Sequence, residues 1–273
     1  SYFKVDTILL LGVQGIPLIV LLKIFKKKNI ISNVGGLEWE RPKFSYLAKL
    51  YLKICFYLSF FFSKKVILDN KYYLKFAPNS KIDKCIIIPY GGEIDNTLNI
   101  NQELKNKYPF LEKEYYLSIS RALEDNYIEN LCNTFSQTNK FLVLISNFSS
   151  SNYGKEVHNK FKNFDNIILI NGLYQKNELD LIRRKCKAYI HTHTLCGSAP
   201  SLIEMIISRR PIISIDVDQN RFTLNNNGFF YKNYAELKNI VESNCNLDQF
   251  IPDIDLLPKY NWQLVVNSYQ DLY

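Results

Sequence analysis

Short apolar runs recur along the chain, separated by stretches whose apolar positions repeat at helical spacing. Residues 7–11 read as a strand, Gly12 and Gly15 bracket a turn, and 17–25 read as a helix. Residues 30–34 form a second strand ending in Gly35-Gly36, followed by a long helix over 46–62 and strands at 66–69 and 86–89. Pro89-Tyr90-Gly91-Gly92 closes this block, and the polar stretch 97–108 predicts a linker loop. The pattern then restarts. Strands are expected at 116–120, 141–146, 167–171, 188–191 and 211–215. Helices are expected from Ile128, and over 157–161, 176–185, 200–208, 234–242 and 261–273. Apolar strands alternating with helices predict parallel βαβ units, hence an α/β protein with two doubly wound halves. The first block opens mid-strand and is short for such a domain, so about one or two βα units are expected to be missing ahead of it.

Composition narrows this reading only a little. The 273 residues are 47% hydrophobic and 14% aromatic, which excludes a disordered chain. A net charge of +8 suits an anionic partner: nucleic acid, a membrane surface or a phosphorylated small molecule. The cationic residues are dispersed and no nucleic-acid-binding motif is present, which argues against the first. The six cysteines (55, 85, 132, 186, 196, 245) have no metal-ligand spacing and read as reduced thiols, so a cytoplasmic location is expected. The apolar run 8–22 is interrupted by Gln14 and Pro17 and falls short of the ~20 residues a span requires, so any membrane contact is expected to be peripheral.

The segment richest in candidate chemistry runs from Tyr189 to Glu204. A buried strand ends at His191, a glycine-bearing loop follows, and a helix opens with Pro200 in its first turn, with Ser198 or Ser201 as its cap. A helix N-terminus at the carboxyl end of a parallel strand suits a phosphate. Glu204, one turn in, is placed for a ribose hydroxyl; the plainer reading is a first-turn dipole partner in an ordinary capped helix. His191 and His193 are read as facing opposite sides of the strand, one packed and one toward the site. Two histidines with no carboxylate or cysteine at ligand spacing do not make a zinc site, and no metal is expected.

The stretch Gly197-Ser-Ala-Pro-Ser-Leu-Ile-Glu-Met resembles the donor-site signature of retaining glycosyltransferases of family 4, most of all bacterial rhamnosyltransferase-like members that build surface polysaccharides. Asn33-Val-Gly-Gly-Leu-Glu-Trp-Glu-Arg is similar to the group's Asp-Gly-x-Glu-Trp-x-Arg stretch. Ile88-Pro-Tyr-Gly-Gly resembles its interdomain strand, and Ser120-Arg-Ala-Leu-Glu-Asp-Asn the start of its second domain. Tyr260-Asn-Trp262 with Tyr269 resembles its closing helix. The resemblance spans nearly the whole chain. It implies a GT-B fold, two Rossmann-like doubly wound domains facing a cleft. Residues 1–96 would be a partial acceptor-side domain with the helix of 259–273 packed back on it, and 97–258 the nucleotide-sugar donor domain.

The resemblance implies a role for each matched residue. Arg121 neutralises the donor diphosphate, with Lys155 a second candidate cation; Gly197, Pro200 and the backbone amides of Ser201 and Leu202 meet the phosphate, and Glu204 holds the ribose. His193 lies near the transferred sugar, while Glu38 and Arg41 line the cleft from the first domain. Three positions depart from the pattern: Cys196 stands where the wider family carries a second glutamate, Asn33 where aspartate is common, and Ser120 where glycine is common. The implied reaction is retaining transfer of a hexose or deoxyhexose, rhamnose being one candidate, from a nucleoside-diphosphate sugar to a saccharide or lipid-linked saccharide acceptor. The co-substrate is the nucleotide sugar and no further cofactor is expected. No protein nucleophile or glycosidase-like carboxylate pair is discernible. Three rivals stand beside this reading: a GT-B sugar-nucleotide epimerase, a nucleic-acid-binding α/β protein, and a degenerate GT-B protein acting as a non-catalytic binding partner.

The helix over 46–62 carries Lys49, Lys53, Phe56, Phe60, Phe61 and Phe62, followed by Lys64 and Lys65. Its apolar side is expected to pack on the sheet while the lysines snorkel, leaving a basic edge for contact with the inner face of the cytoplasmic membrane.

Overall fold

The computed structural model describes residues 6–18, 20, 21, 29–243 and 245–273. The chain divides into two compact units, one made of Ser1–Gly91, Leu195–Ser198 and Lys259–Tyr273, the other of Gly92–Thr194 and Ala199–Pro258.

The first unit holds a four-stranded parallel sheet in the order β1 (Thr7–Leu11), β2 (Asn29–Asn33), β3 (Lys65–Leu68), β4 (Cys85–Ile87). Alternation along the strands divides its core in two. Val66 and Leu68 face one way, joining Val34, Trp39 and the Leu52, Cys55, Phe56, Phe60 stripe of the helix Tyr46–Phe62. Ile31, Ile67 and Ile88 face the other way, against Val265, Tyr269 and Leu272 at the end of the chain. Ser45 starts the long helix by accepting a hydrogen bond from the Ala48 amide at 3.4 Å. Asn261 starts the closing helix Trp262–Gln270 in the same way, accepting from Gln263 at 2.8 Å. Of the helix expected over 17–25, residues 17, 18, 20 and 21 are helical; 19 and 22–25 lie outside the described residues.

The second unit holds six parallel strands: β5 (Tyr115–Ile119), β6 (Phe141–Ser146), β7 (Ile167–Asn171), β8 (Ala188–His191), β9 (Ile212–Ile215) and β10 (Phe229–Tyr231). They form one sheet in the order β10-β9-β8-β5-β6-β7. The chain runs outward from β5 to β7, then returns to lay β8 on the other side of β5 and continues to β10. The strand order therefore reverses between β5 and β8, where doubly wound sheets open a crevice at the carboxyl ends of their strands. β8 is buried along its whole length, as a strand covered on both faces must be.

The structure departs from the expected elements at several places. Part of the expected linker is the helix Gln102–Lys107, started by Asn101 and anchored by buried Leu104. The helix expected over 157–161 begins at Asn152, because Ser151 caps it. The helix Asp218–Leu224 and strand β10 were not anticipated; that helix buries Gln219, Asn220 and Thr223 beside Leu224, so it carries little apolar periodicity. Among the described residues no helix is long and apolar enough to cross a membrane.

Candidate functional site

β5 and β8 end side by side, and three hydrogen bonds organise the loops beyond them. Tyr189 Oη donates to the Ile119 carbonyl at 3.2 Å, Thr192 Oγ1 to the Asn126 carbonyl at 2.5 Å, and Asn126 Nδ2 to the Arg121 carbonyl at 2.8 Å. Asn126 and Thr192 are buried and hold the loop that carries Arg121. The Arg121 side chain is exposed and, among the described residues, makes no ion pair.

A second set of bonds joins this loop to the end of β6. The Ala122 amide donates to Asn147 Oδ1 at 2.8 Å, and Ser151 Oγ donates to the Ala122 carbonyl at 3.1 Å while accepting from the Gly154 amide at 3.0 Å. Gly154 is required here, since a Cβ would lie 2.9 Å from Ala122 Cβ and against the Phe148 carbonyl. Lys155 follows it, exposed, and lines a cavity of about 250 Å³ with Phe148, Ser149, His158, Asn159 and Asn171. None of Arg121, His193 or Glu204 lines that cavity.

The helix Pro200–Ile207 begins beyond β8 with Pro200 at its first position. Neither serine caps it. Ala199 occupies the cap position without a side-chain bond, and Ser198 Oγ instead donates to the Asp69 carbonyl. Leu202 and Ile203 amides both bond the Ala199 carbonyl, at 3.0 and 3.1 Å, so among the described residues Ser201 presents the uncommitted amide of the first turn. Gly197 packs within the first unit: its carbonyl accepts from Asn70 Nδ2 at 2.9 Å, and a Cβ would lie 2.6 Å from Tyr73 Cε2.

Glu204 pairs with Arg183, whose other nitrogen donates to the fully buried Asp180 at 2.5 Å. Lys176 closes the other side of Asp180 at 2.6 Å. Burial raises the Glu204 pKa against the opposing pull of Arg183. Arg183 and Asp180 escaped the sequence reading; their i,i+3 spacing was visible, but nothing local marks them as buried.

His191 and His193 do not face opposite sides. Residues two apart on a strand share a face, and the two rings lie 4.6 Å apart, edge to face. Both are buried. Burial first, and His193 second, hold His191 well below the usual histidine range. The His193 carbonyl accepts from Asn220 Nδ2 at 3.0 Å, an anchor the sequence reading missed with the whole helix that carries it.

In the first unit, Glu38 accepts from Arg41 Nε at 3.0 Å and lines a cavity of about 610 Å³. Arg41 is buried and is not among the lining residues. Asp69, Gln14, Asn33, Tyr90, Trp262 and Tyr269 share the lining. Asn33 Nδ2 donates to Tyr269 Oη at 2.7 Å. Asp69 Oδ2 accepts from the Ser198 amide at 3.3 Å, whereas Asp69 Oδ1 has no partner among the described residues. Burial pushes the Asp69 pKa up to about 6, with the Ser198 amide pulling the other way. Among the described residues no cluster of histidine, cysteine or carboxylate side chains is arranged to hold a metal ion.

No protein-family model and no curated protein sequence matches the chain. Solved structures do. HepE from Anabaena, in complex with UDP, is 12% identical with a TM-score of 0.76, over 97% of this chain and 78% of that one. Sucrose-phosphate synthase from Thermosynechococcus elongatus is 13% identical with a TM-score of 0.79, over 98% and 73%. The UDP-forming α,α-trehalose-phosphate synthase from Burkholderia xenovorans, in complex with glucose-6-phosphate, is 12% identical with a TM-score of 0.70, over 99% and 74%. At such identities the likeness establishes the fold: an α/β chain with two parallel sheets, matching the GT-B class.

Proposed function

We propose that the chain is a glycosyltransferase that takes its sugar from a nucleoside-diphosphate donor held by the second unit. One observation carries this reading. Beyond the carboxyl ends of β5 and β8, where strand order reverses, lie an exposed arginine outside the ion pairs of the described residues (Arg121), an uncapped helix start (Ser201) and a carboxylate one turn in (Glu204).

The chemistry follows from the charges. Departure of a nucleoside diphosphate leaves negative charge on its phosphates, and a guanidinium with a helix N-terminus stabilises that charge as it develops. Arg121 supplies the first and the Ser201 amide the second, with Pro200 fixing the turn. Arg183 orients Glu204 so that one oxygen is occupied and the other accepts a ribose hydroxyl. His193, kept against His191, lies on the sugar side. Lys155, on its separate cavity, is the weaker phosphate candidate. UDP in the HepE complex supports a uridine donor; the motif resemblance supports a deoxythymidine donor carrying rhamnose. The resemblance also supports retention, with the donor phosphate assisting deprotonation of the acceptor on one face, and a role in surface polysaccharide assembly.

The helix Tyr46–Phe62 supports peripheral membrane contact more than its sequence suggested. Its buried stripe leaves Leu47 and Ile54 75% and 50% exposed, with Tyr46, Leu50 and Tyr51 also outward and exposed Lys53 among them. An apolar face edged with lysines suits an anionic lipid surface.

A panel of UDP, dTDP, GDP and ADP titrated against the protein tests the donor site. Binding of one of them, weakened by Arg121→Ala and Glu204→Ala, supports the reading and names the base. Binding of none removes it.

A further inference from the structure

The helix Lys176–Lys185 carries a row of charged side chains, Lys176, Asp180, Arg183 and Arg184, spaced so that they meet on neighbouring turns. Asp180 is fully buried within this row, and Arg183 is 3% exposed. Asp180 Oδ1 accepts from Arg183 Nη1 at 2.5 Å, and the other terminal nitrogen of Arg183 donates to Glu204. Asp180 Oδ2 is taken by two further donors, Lys176 Nζ at 2.6 Å and the backbone amide of Asp95 at 2.9 Å.

The Asp95 amide belongs to segment 92–98, by which the chain enters the second unit. This segment is held at successive points. A Cβ on Gly92 would lie 2.7 Å from Ile207 Cδ1 and 3.0 Å from Ile203 Cγ2, on the helix that carries Glu204. The Glu93 carbonyl accepts from Lys176 Nζ at 3.0 Å, and the Leu98 carbonyl accepts from Arg184 Nη2 at 2.6 Å. Between them Asp95 Oδ1 accepts from the Thr97 amide and hydroxyl at 2.7 and 2.6 Å, which fixes a turn. The segment is therefore strapped to the same two helices that set Glu204.

A buried carboxylate bonded through both oxygens cannot turn to follow one partner without stranding the other, and an unmade bond away from water is costly. Fixing one end of such a chain of bonds stiffens the far end. We propose that Asp180 is a positioning residue of the donor site, which sets Glu204 through Arg183 and couples ribose binding there to the anchorage of segment 92–98. The coupling is reciprocal: ribose tightens the segment, and loosening the segment weakens the hold on ribose. The inference rests on the donor-site reading, in which Glu204 accepts a ribose hydroxyl.

The test uses the intact chain and whichever of UDP, dTDP, GDP and ADP binds it, beside the dideoxy form of the same nucleotide, which lacks the ribose hydroxyls. Calorimetric titration of the wild type should show a preference for the form with hydroxyls. Asp180→Asn, nearly isosteric but with a single acceptor oxygen, should shrink that preference at least about fivefold while leaving affinity for the dideoxy form unchanged. Lys176→Gln, at a half-exposed position, should shift it in the same direction and serves should the first variant fold poorly. In the wild type, amide exchange of segment 93–98, read by mass spectrometry, should slow at least about fivefold on saturation with the nucleotide and not with its dideoxy form. A purely structural Asp180 would weaken both forms alike and leave that exchange blind to the hydroxyls. An unchanged preference in both variants, or exchange that responds equally to the two forms, overturns the inference and leaves the donor site standing. Binding of no nucleotide removes the donor site, and the coupling with it.

Discussion

Arg183, on the helix Lys176–Lys185, pairs through one nitrogen with Glu204, twenty-one residues further along the chain. Its other nitrogen meets Asp180, and the guanidinium is almost wholly buried between the two carboxylates. Removing one partner of a buried ionic group leaves the others uncompensated, at about 3–5 kcal/mol. Arg183→Leu should therefore lower the urea midpoint sharply. Arg183→Lys should recover only part of that loss, because a point charge cannot bridge two carboxylates as a planar fork does. A midpoint unchanged in Arg183→Leu would mean that Asp180 and Glu204 are held by other means.

Arg121 should behave in the opposite way. Its side chain is exposed and, among the described residues, outside the ion pairs of the fold, so Arg121→Ala should leave stability within about 0.5 kcal/mol. Nucleotide affinity should nevertheless fall at least about tenfold, or 1.4 kcal/mol. Calorimetric titration reads the second effect and thermal unfolding the first. Equal affinity in the variant would take Arg121 out of the site.

Gly154→Ala should cost about 1–3 kcal/mol, since its new methyl group meets Ala122 and the Phe148 carbonyl in a well-packed corner. The same displacement pushes on the loop bearing Arg121, so nucleotide binding should weaken along with stability. Loss of stability with full affinity would show that the loop is held independently of this contact.

The pH dependence of stability carries a signature of Asp69. Tyr73, Tyr90 and Tyr269 feel its charge, and Cys196 and Arg41 in turn act on Tyr73. Its folded pKa, about 6, lies above its ordinary 3.8, so the folded state binds more protons between those values. Stability from this group is complete below pH 3.8 and lost as pH rises through about 6, by roughly 3 kcal/mol. His191 acts the other way: neutral when folded, it lowers stability as pH falls below 6.5. The two slopes oppose, so the measurement is the difference between wild type and Asp69→Asn in denaturant midpoints across pH 4 to 7. The variant should gain relative stability as pH rises. A constant difference would refute the burial argument.

Leu47, Leu50 and Ile54 project from a helix whose other side is packed, so replacing them with glutamine should change stability by about 0.5 kcal/mol or less each. Sedimentation with phosphatidylglycerol-rich vesicles should drop in the triple variant and in high salt. Equal sedimentation of wild type and variant would exclude this face from membrane contact.

Periodicity located every strand among the described residues except β10, because parallel strands covered on both faces are nearly uninterrupted apolar runs. The helix Asp218–Leu224 escaped because its buried side chains are largely polar and satisfied by backbone partners, Asn220 on the His193 carbonyl among them. The proposed serine caps failed for a related reason. Capping follows the path of the chain, and here the loop before Pro200 turns Ser198 toward Asp69.

Local pattern was enough for the alternation of strands and helices, the parallel character of both sheets, and the residue types at the proposed donor site. Those are properties of local spacing and side-chain chemistry, and they survive without knowledge of partners. Packing was needed to show that Glu204 answers to Arg183, that the His191 and His193 rings are both buried, and that Asp69 is buried with one oxygen lacking a partner among the described residues. Each depends on which distant groups a side chain meets and how much water is excluded, and burial with its pKa consequences is a property of the packed chain.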